Sequence, residues 1–137
     1  MDRKKFIQTC GSACVGGTSL SILMQSCKTT FYAPSKLVVN KIVVEKNIFN
    51  THNPAVVKDD SLLAPLYVTK VNEDTYSAVL MYCTHKGCEL TVAGKNLVCP
   101  CHGSEFLGSG KVLSAPADKD LQSYLVTSDC DTIYIHV

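Results

Sequence analysis

The sequence has no tryptophan, and only four of its 137 residues are histidine. Charged side chains make up 18% and balance to a net +1, and no basic run follows the first few residues. That excludes a strongly basic nucleic-acid binder. No stretch after Cys27 carries a helical apolar period, and no repeat or low-complexity segment occurs. Motifs with a Ser-His-Asp order or paired carboxylates are also missing, so nothing points to an enzyme acting on its own. The apolar stretch near the N-terminus is broken by glycine and polar residues, and falls short of the roughly 20 strongly apolar residues that span a bilayer. The length fits one domain.

What the chain does have is cysteine. There are eight, and four of them (Cys83, Cys88, Cys99, Cys101) fall within 19 residues, together with His85 and His102. Such density means disulfides, metal or both.

The first 27 residues read as an export signal. Arg3, Lys4 and Lys5 precede a small-residue apolar run from Phe6 to Met24, which ends at Ser26-Cys27. A small residue before that cysteine resembles a bacterial lipoprotein signal with Cys27 as the lipidated residue. Asp2-Arg3-Lys4-Lys5-Phe6-Ile7 resembles a twin-arginine signal with one arginine replaced by lysine. The expectation is an exported protein on the periplasmic side, anchored to the membrane through Cys27, in a compartment where disulfides persist.

Residues 28–35 read as a tether, and 36–137 as one all-β domain. Short β-branched runs recur at Leu37–Val39, Ile42–Val44, Ala55–Val57, Leu66–Val68, Tyr76–Tyr82, Glu89–Val92, Asn96–Val98, Leu121–Thr127 and Thr132–Val137. Turn residues lie between them, which predicts an antiparallel sandwich or small barrel.

The chemistry sits in two boxes, Cys83-Thr84-His85-Lys86-Gly87-Cys88 and Cys99-Pro100-Cys101-His102-Gly103-Ser104, ten residues apart around an Ala93-Gly94-Lys95-Asn96 hairpin turn. Two cysteines and two histidines suit tetrahedral zinc, but zinc fingers do not use this spacing. Each box supplies one Cys-His pair and a surplus cysteine. One iron with two thiolates and one with two imidazoles is the ligation of a Rieske [2Fe–2S] centre.

The boxes resemble the Rieske family in its C-x-H-x-G-C and C-P-C-H-G-S form, the form of iron–sulfur subunits in quinol-oxidising cytochrome complexes. The resemblance is specific over 83–117. It implies a cluster-binding subdomain of two loops over about 80–117. Cys83 and Cys99 would bind one iron, and His85 and His102 the other. A Cys88–Cys101 disulfide is implied too, with Ser104 donating to a cluster sulfide and a covering loop from Gly110-Lys111-Val112 through Ala115-Pro116-Ala117. There are departures. Phe106 stands where high-potential members carry a tyrosine, Lys86 follows a ligand histidine, and Asp118 replaces a second proline.

The function so implied is one-electron transfer, as a carrier or as the small subunit of an exported oxidoreductase. Its partners would be redox proteins, either a cytochrome or an oxidoreductase large subunit such as that of a molybdenum-type oxidase. The alternatives are the iron–sulfur subunit of a quinol–cytochrome c oxidoreductase and a structural zinc or disulfide module. His52, His136 and Cys130 read as ordinary surface or strand residues.

Overall fold

The computed structural model describes residues 29–137. The export signal and Cys27 lie outside the described residues. Eleven short strands form two antiparallel sheets. The larger contains β1 (Lys36–Val38), β2 (Lys41–Glu45), β3 (Ala55–Val57), β4 (Leu66–Lys70), β5 (Tyr76–Leu80), β10 (Ser123–Ser128) and β11 (Thr132–His136), in the order β1-β2-β11-β10-β5-β4-β3. The smaller contains β6 (Thr91–Ala93), β7 (Asn96–Val98), β8 (Glu105–Leu107) and β9 (Val112–Ser114), in that order. It is inserted between β5 and β10, which pair directly through Ser123–Val79 and Tyr124–Ala78.

Side chains of a strand alternate between its two faces, and the two sheets use that alternation differently. In β2 and β11, Ile42, Val44, Ile133 and Ile135 point into the core while their neighbours do not. In β3, β4 and β5 nearly every residue is buried. One set (Val57, Leu66, Val68, Ala78, Leu80) packs into the core of the large sheet. The other (Val56, Tyr67, Val79) packs against Leu90, Leu97 and Phe106 of the inserted subdomain. These strands are a wall shared by two cores, which is why they read as unbroken apolar runs in the sequence.

The large sheet curls until its two edges meet. The N–H of Ala33 donates to Val56 O and that of Val56 to Phe31 O, both at 2.8 Å, so this segment runs parallel along β3. Phe31 stacks on His52, with ring centroids 3.7 Å apart and 4° between planes. Three residues later β1 begins at the opposite edge of the sheet. Three residues reach about 11 Å at most, so β1 and β3 are neighbours in space. Residues 31–33 of the segment read as a tether are therefore docked on the barrel.

Two local features escape the sequence. A single helical turn, α1 (Ile48–Thr51), buries Phe49 but is too short to show a period. β8 and β9 are three residues each, directly follow the second box, and bury only Phe106. Cys130 is exposed in the β10–β11 turn, and His136 Nε2 lies 2.8 Å from Thr127 Oγ1, so both are outside the metal-ligand constellation.

Leu66 is fully buried at the shared wall. Leu66→Ala is expected to cost about 2–5 kcal/mol, read as a lower urea midpoint with the slope unchanged.

Candidate metal centre

The two boxes fold into the same turn twice. In the first, Cys83 N–H donates to Cys88 O at 2.8 Å and Gly87 N–H to Cys83 O at 2.9 Å. In the second, Cys99 N–H donates to Ser104 O at 2.8 Å and Gly103 N–H to Cys99 O at 3.0 Å. The fifth residue of each turn is a glycine in the left-handed region, at φ 78° for Gly87 and 80° for Gly103. Any other L-residue would be strained there. At Gly87 a Cβ would also overlap the Tyr82 ring.

Each turn leaves a strand of the shared assembly, the first after β5 and the second after β7. A disulfide between Cys88 and Cys101 joins the turns. Cys83 and Cys99 remain free and are each 2% exposed. The rings of His85 and His102 meet edge to face, with centroids 4.9 Å apart. His85 is half-buried and His102 exposed. Two thiols and two imidazoles, one pair from each turn, are thus brought together.

The donor set fits a metal cluster. Nδ1 of His85 is buried with no hydrogen-bond partner in the bare chain, a costly state for a polar atom that a metal bond would relieve. Burial pushes the Cys83 thiol up, but donors outweigh it. The backbone amides of His85 and Lys86, the Cys99 thiol and the Ser104 hydroxyl all face the sulfur, and hold Cys83 below the usual thiol range. Preformed donors of this kind stabilise thiolate, the form that ligates metal.

A covering loop is tied down from both boxes. Ser104, fully buried, accepts a bond from Ala117 N–H at 3.0 Å. Thr84 Oγ1 donates to Lys119 O at 2.7 Å. Further bonds anchor the base of the loop, from Val112 N–H to Asp120 Oδ1 at 2.9 Å and from Leu121 N–H to Gly110 O at 2.8 Å. The sequence placed Gly110 at the start of the covering loop but gave no hint of its backbone conformation, nor of the anchoring role of Thr84. Gly110 has φ 92° and lies where a Cβ would come within 3.0 Å of Val79, yet nothing in the spacing singles out either residue. Phe106 is fully buried in the same apolar cluster as Cys83 and Cys99, and brings no hydroxyl to them. Lys86 and Asp118 are both exposed at the rim.

The profile of the Rieske [2Fe-2S] domain family matches residues 38–125. The chain belongs to that family. Its cofactor is therefore a [2Fe–2S] cluster. The Rieske chain is 45% identical over 53 residues to a cytochrome b6-f complex iron-sulfur subunit of Synechococcus sp. (strain JA-3-3Ab), an alignment covering 37% of this chain and 31% of that one. It is 34% identical over 102 residues to the chloroplastic cytochrome b6-f complex iron-sulfur subunit of Triticum aestivum, covering 67% of this chain and 43% of that one. It thus spans less than half the length of either relative. Among solved structures, the cyanobacterial plasma membrane Rieske protein PetC3 from Synechocystis PCC 6803 matches with a TM-score of 0.58 at 30% identity, over 68% of this chain and 95% of that one.

Ser104→Ala removes both the acceptor for Ala117 N–H and a donor to Cys83. Leaving that buried amide unpaired is expected to cost about 1–3 kcal/mol, seen as a lower melting temperature. With one donor gone the Cys83 thiolate is less favoured, so in cluster-free protein its ultraviolet thiolate band is expected to appear at higher pH than in the unaltered chain.

Proposed function

We propose that this chain moves single electrons through a cluster held by Cys83 and Cys99 on one iron and by His85 and His102 on the other. What carries the reading is the doubled turn, which sets two buried free cysteines and two imidazoles around one spot. A bound [2Fe–2S] cluster takes up and returns one electron, and histidine ligation raises its potential above that of all-cysteine clusters. The chain's own residues do the rest. Ser104 and the box amides supply hydrogen bonds that favour negative sulfur, which tunes the potential upward. The buried wall of Leu97, Phe106 and Val79 keeps water from the back of the site. His102 stands at the surface, where a partner can approach it.

The domain limits follow the same reading, with an export signal over 1–27, a connecting segment over 28–35 of which residues 31–33 dock on β3, and the Rieske domain over 36–137. Lipidation at Cys27 would place the domain on the periplasmic side of a membrane. A carrier, or a small subunit beside an oxidoreductase large subunit, suits a chain with exposed charges at Lys86 and Asp118 next to the ligand turns. The second reading is the iron–sulfur subunit of a quinol–cytochrome complex. Its support is the likeness to cytochrome b6-f iron-sulfur subunits.

Purified protein is expected to be brown, with two irons and two acid-labile sulfides per chain and a rhombic paramagnetic resonance signal on reduction. Colourless protein holding zinc would overturn the reading. Phe106→Tyr restores a hydroxyl beside the ligand cysteines and is expected to raise the potential by on the order of tens of millivolts.

A further inference from the structure

Three sulfurs crowd one side of the site. Cys99 Sγ and both sulfurs of the Cys88–Cys101 disulfide lie within 4.8 Å of one another. Cys99 is a free, buried thiol, and Cys101 is the exposed end of the disulfide. Thiol–disulfide exchange requires a thiolate close to a disulfide sulfur and a leaving group that tolerates negative charge, with no outside oxidant.

We propose that in the chain before its cluster is in place, Cys99 attacks Cys88 and moves the disulfide, so that Cys88–Cys99 replaces Cys88–Cys101. Cys99 gives its proton to water, its sulfur bonds to Cys88, the Cys88–Cys101 bond breaks, and Cys101 leaves as a thiolate that takes a proton from water. One disulfide and one thiol enter the step, and one of each leaves it. Cys88 is the sulfur attacked for two reasons. Cys101 is exposed, so water solvates it as the leaving group. Attack on Cys101 would instead have to close a ring across the single stiff residue Pro100. A sulfur committed to iron gives up charge to the metal and is held in place by it, so it attacks far less readily.

The consequence, which rests on the reading of Cys99 as a ligand, is an order of assembly. A disulfide closed before the cluster arrives can consume a ligand position and leave a reactive thiol at the surface. Cluster insertion therefore belongs before disulfide closure, in a compartment that keeps thiols reduced.

The test uses the full chain. Iron is removed with a chelator in non-denaturing buffer without oxygen or reductant. The protein is then held for about a day, since uncatalysed rearrangement takes minutes to hours, quenched in acid, alkylated and digested. Cys99 and Cys101 fall in one tryptic peptide, so fragment ions locate the alkyl group on one or the other. In cluster-loaded protein only the Cys88–Cys101 link is expected. In cluster-free protein alkylation of Cys101 is expected to rise by on the order of tenfold, with Cys99 protected to match. Cluster-free Cys99→Ser should keep Cys101 unmodified. Cluster-free protein whose alkyl group stays on Cys99 overturns the proposal. So do links that include Cys83 or Cys130, because general unfolding and not the local geometry would then be the cause. If the protein as purified holds neither iron nor sulfide, the functional reading fails, and the exchange is tested directly on that material.

Discussion

Everything at the site hangs on a backbone constraint, the five-residue turn that a glycine at φ near 80° closes twice. Each turn binds its own leading cysteine from both directions, through the amide and through the carbonyl. The main chain at Cys83 and Cys99 is thereby held in place before any ligand is present. The order of histidine and surplus cysteine differs between the turns, so their union is asymmetric. Cys88 closes the first turn, while Cys101 sits mid-turn in the second, and the disulfide links the two at these different depths. Such a cross-link restrains the pair chiefly by limiting the freedom of the unfolded chain.

The turns hold their places because β3, β4 and β5 serve two cores. Val79 and Tyr67 face the cluster-binding subdomain, while Leu66, Ala78 and Leu80 face the barrel. Interiors packed to crystal density transmit displacement instead of absorbing it. A change in the barrel at Leu66 is therefore felt one residue away, at the floor of the site. The covering loop completes the enclosure through two side-chain bonds, one from each box, so neither turn can open without releasing the other's cover.

Much of this was legible in the sequence. The strand runs around Ile42–Val44, Ala55–Val57 and Tyr76–Leu80 carry β-branched and apolar residues in strand-length pieces, and the structure has strands there. The box spacing gave the disulfide pair and the family by resemblance, because few other sites need one cysteine and one histidine from each of two loops. Other features had no local signal. β8 and β9 are three residues each, too short to show an alternation, and pair in sequence order with β7 and with each other. Thr84 acts through a carbonyl 35 residues away. The docking of residues 31–33 depends on an edge of the barrel that exists only once the sheet has curled. Contacts of this kind are non-local, and periodicity over a short window cannot contain them.

The direction of that docked segment sets the polarity of the whole domain. Tyr32 runs parallel to β3. β3 heads from Ala55 toward Val57, which pairs with Leu66 and through it with Leu80, the last residue of β5 and three residues before the first ligand cysteine. The docked segment therefore runs toward the strand ends that lead to the first ligand turn, and lies level with Tyr67 and Val79 of the shared wall. Load on the few residues before β1 would bear directly on that wall, whose other face is the floor beneath the two ligand turns.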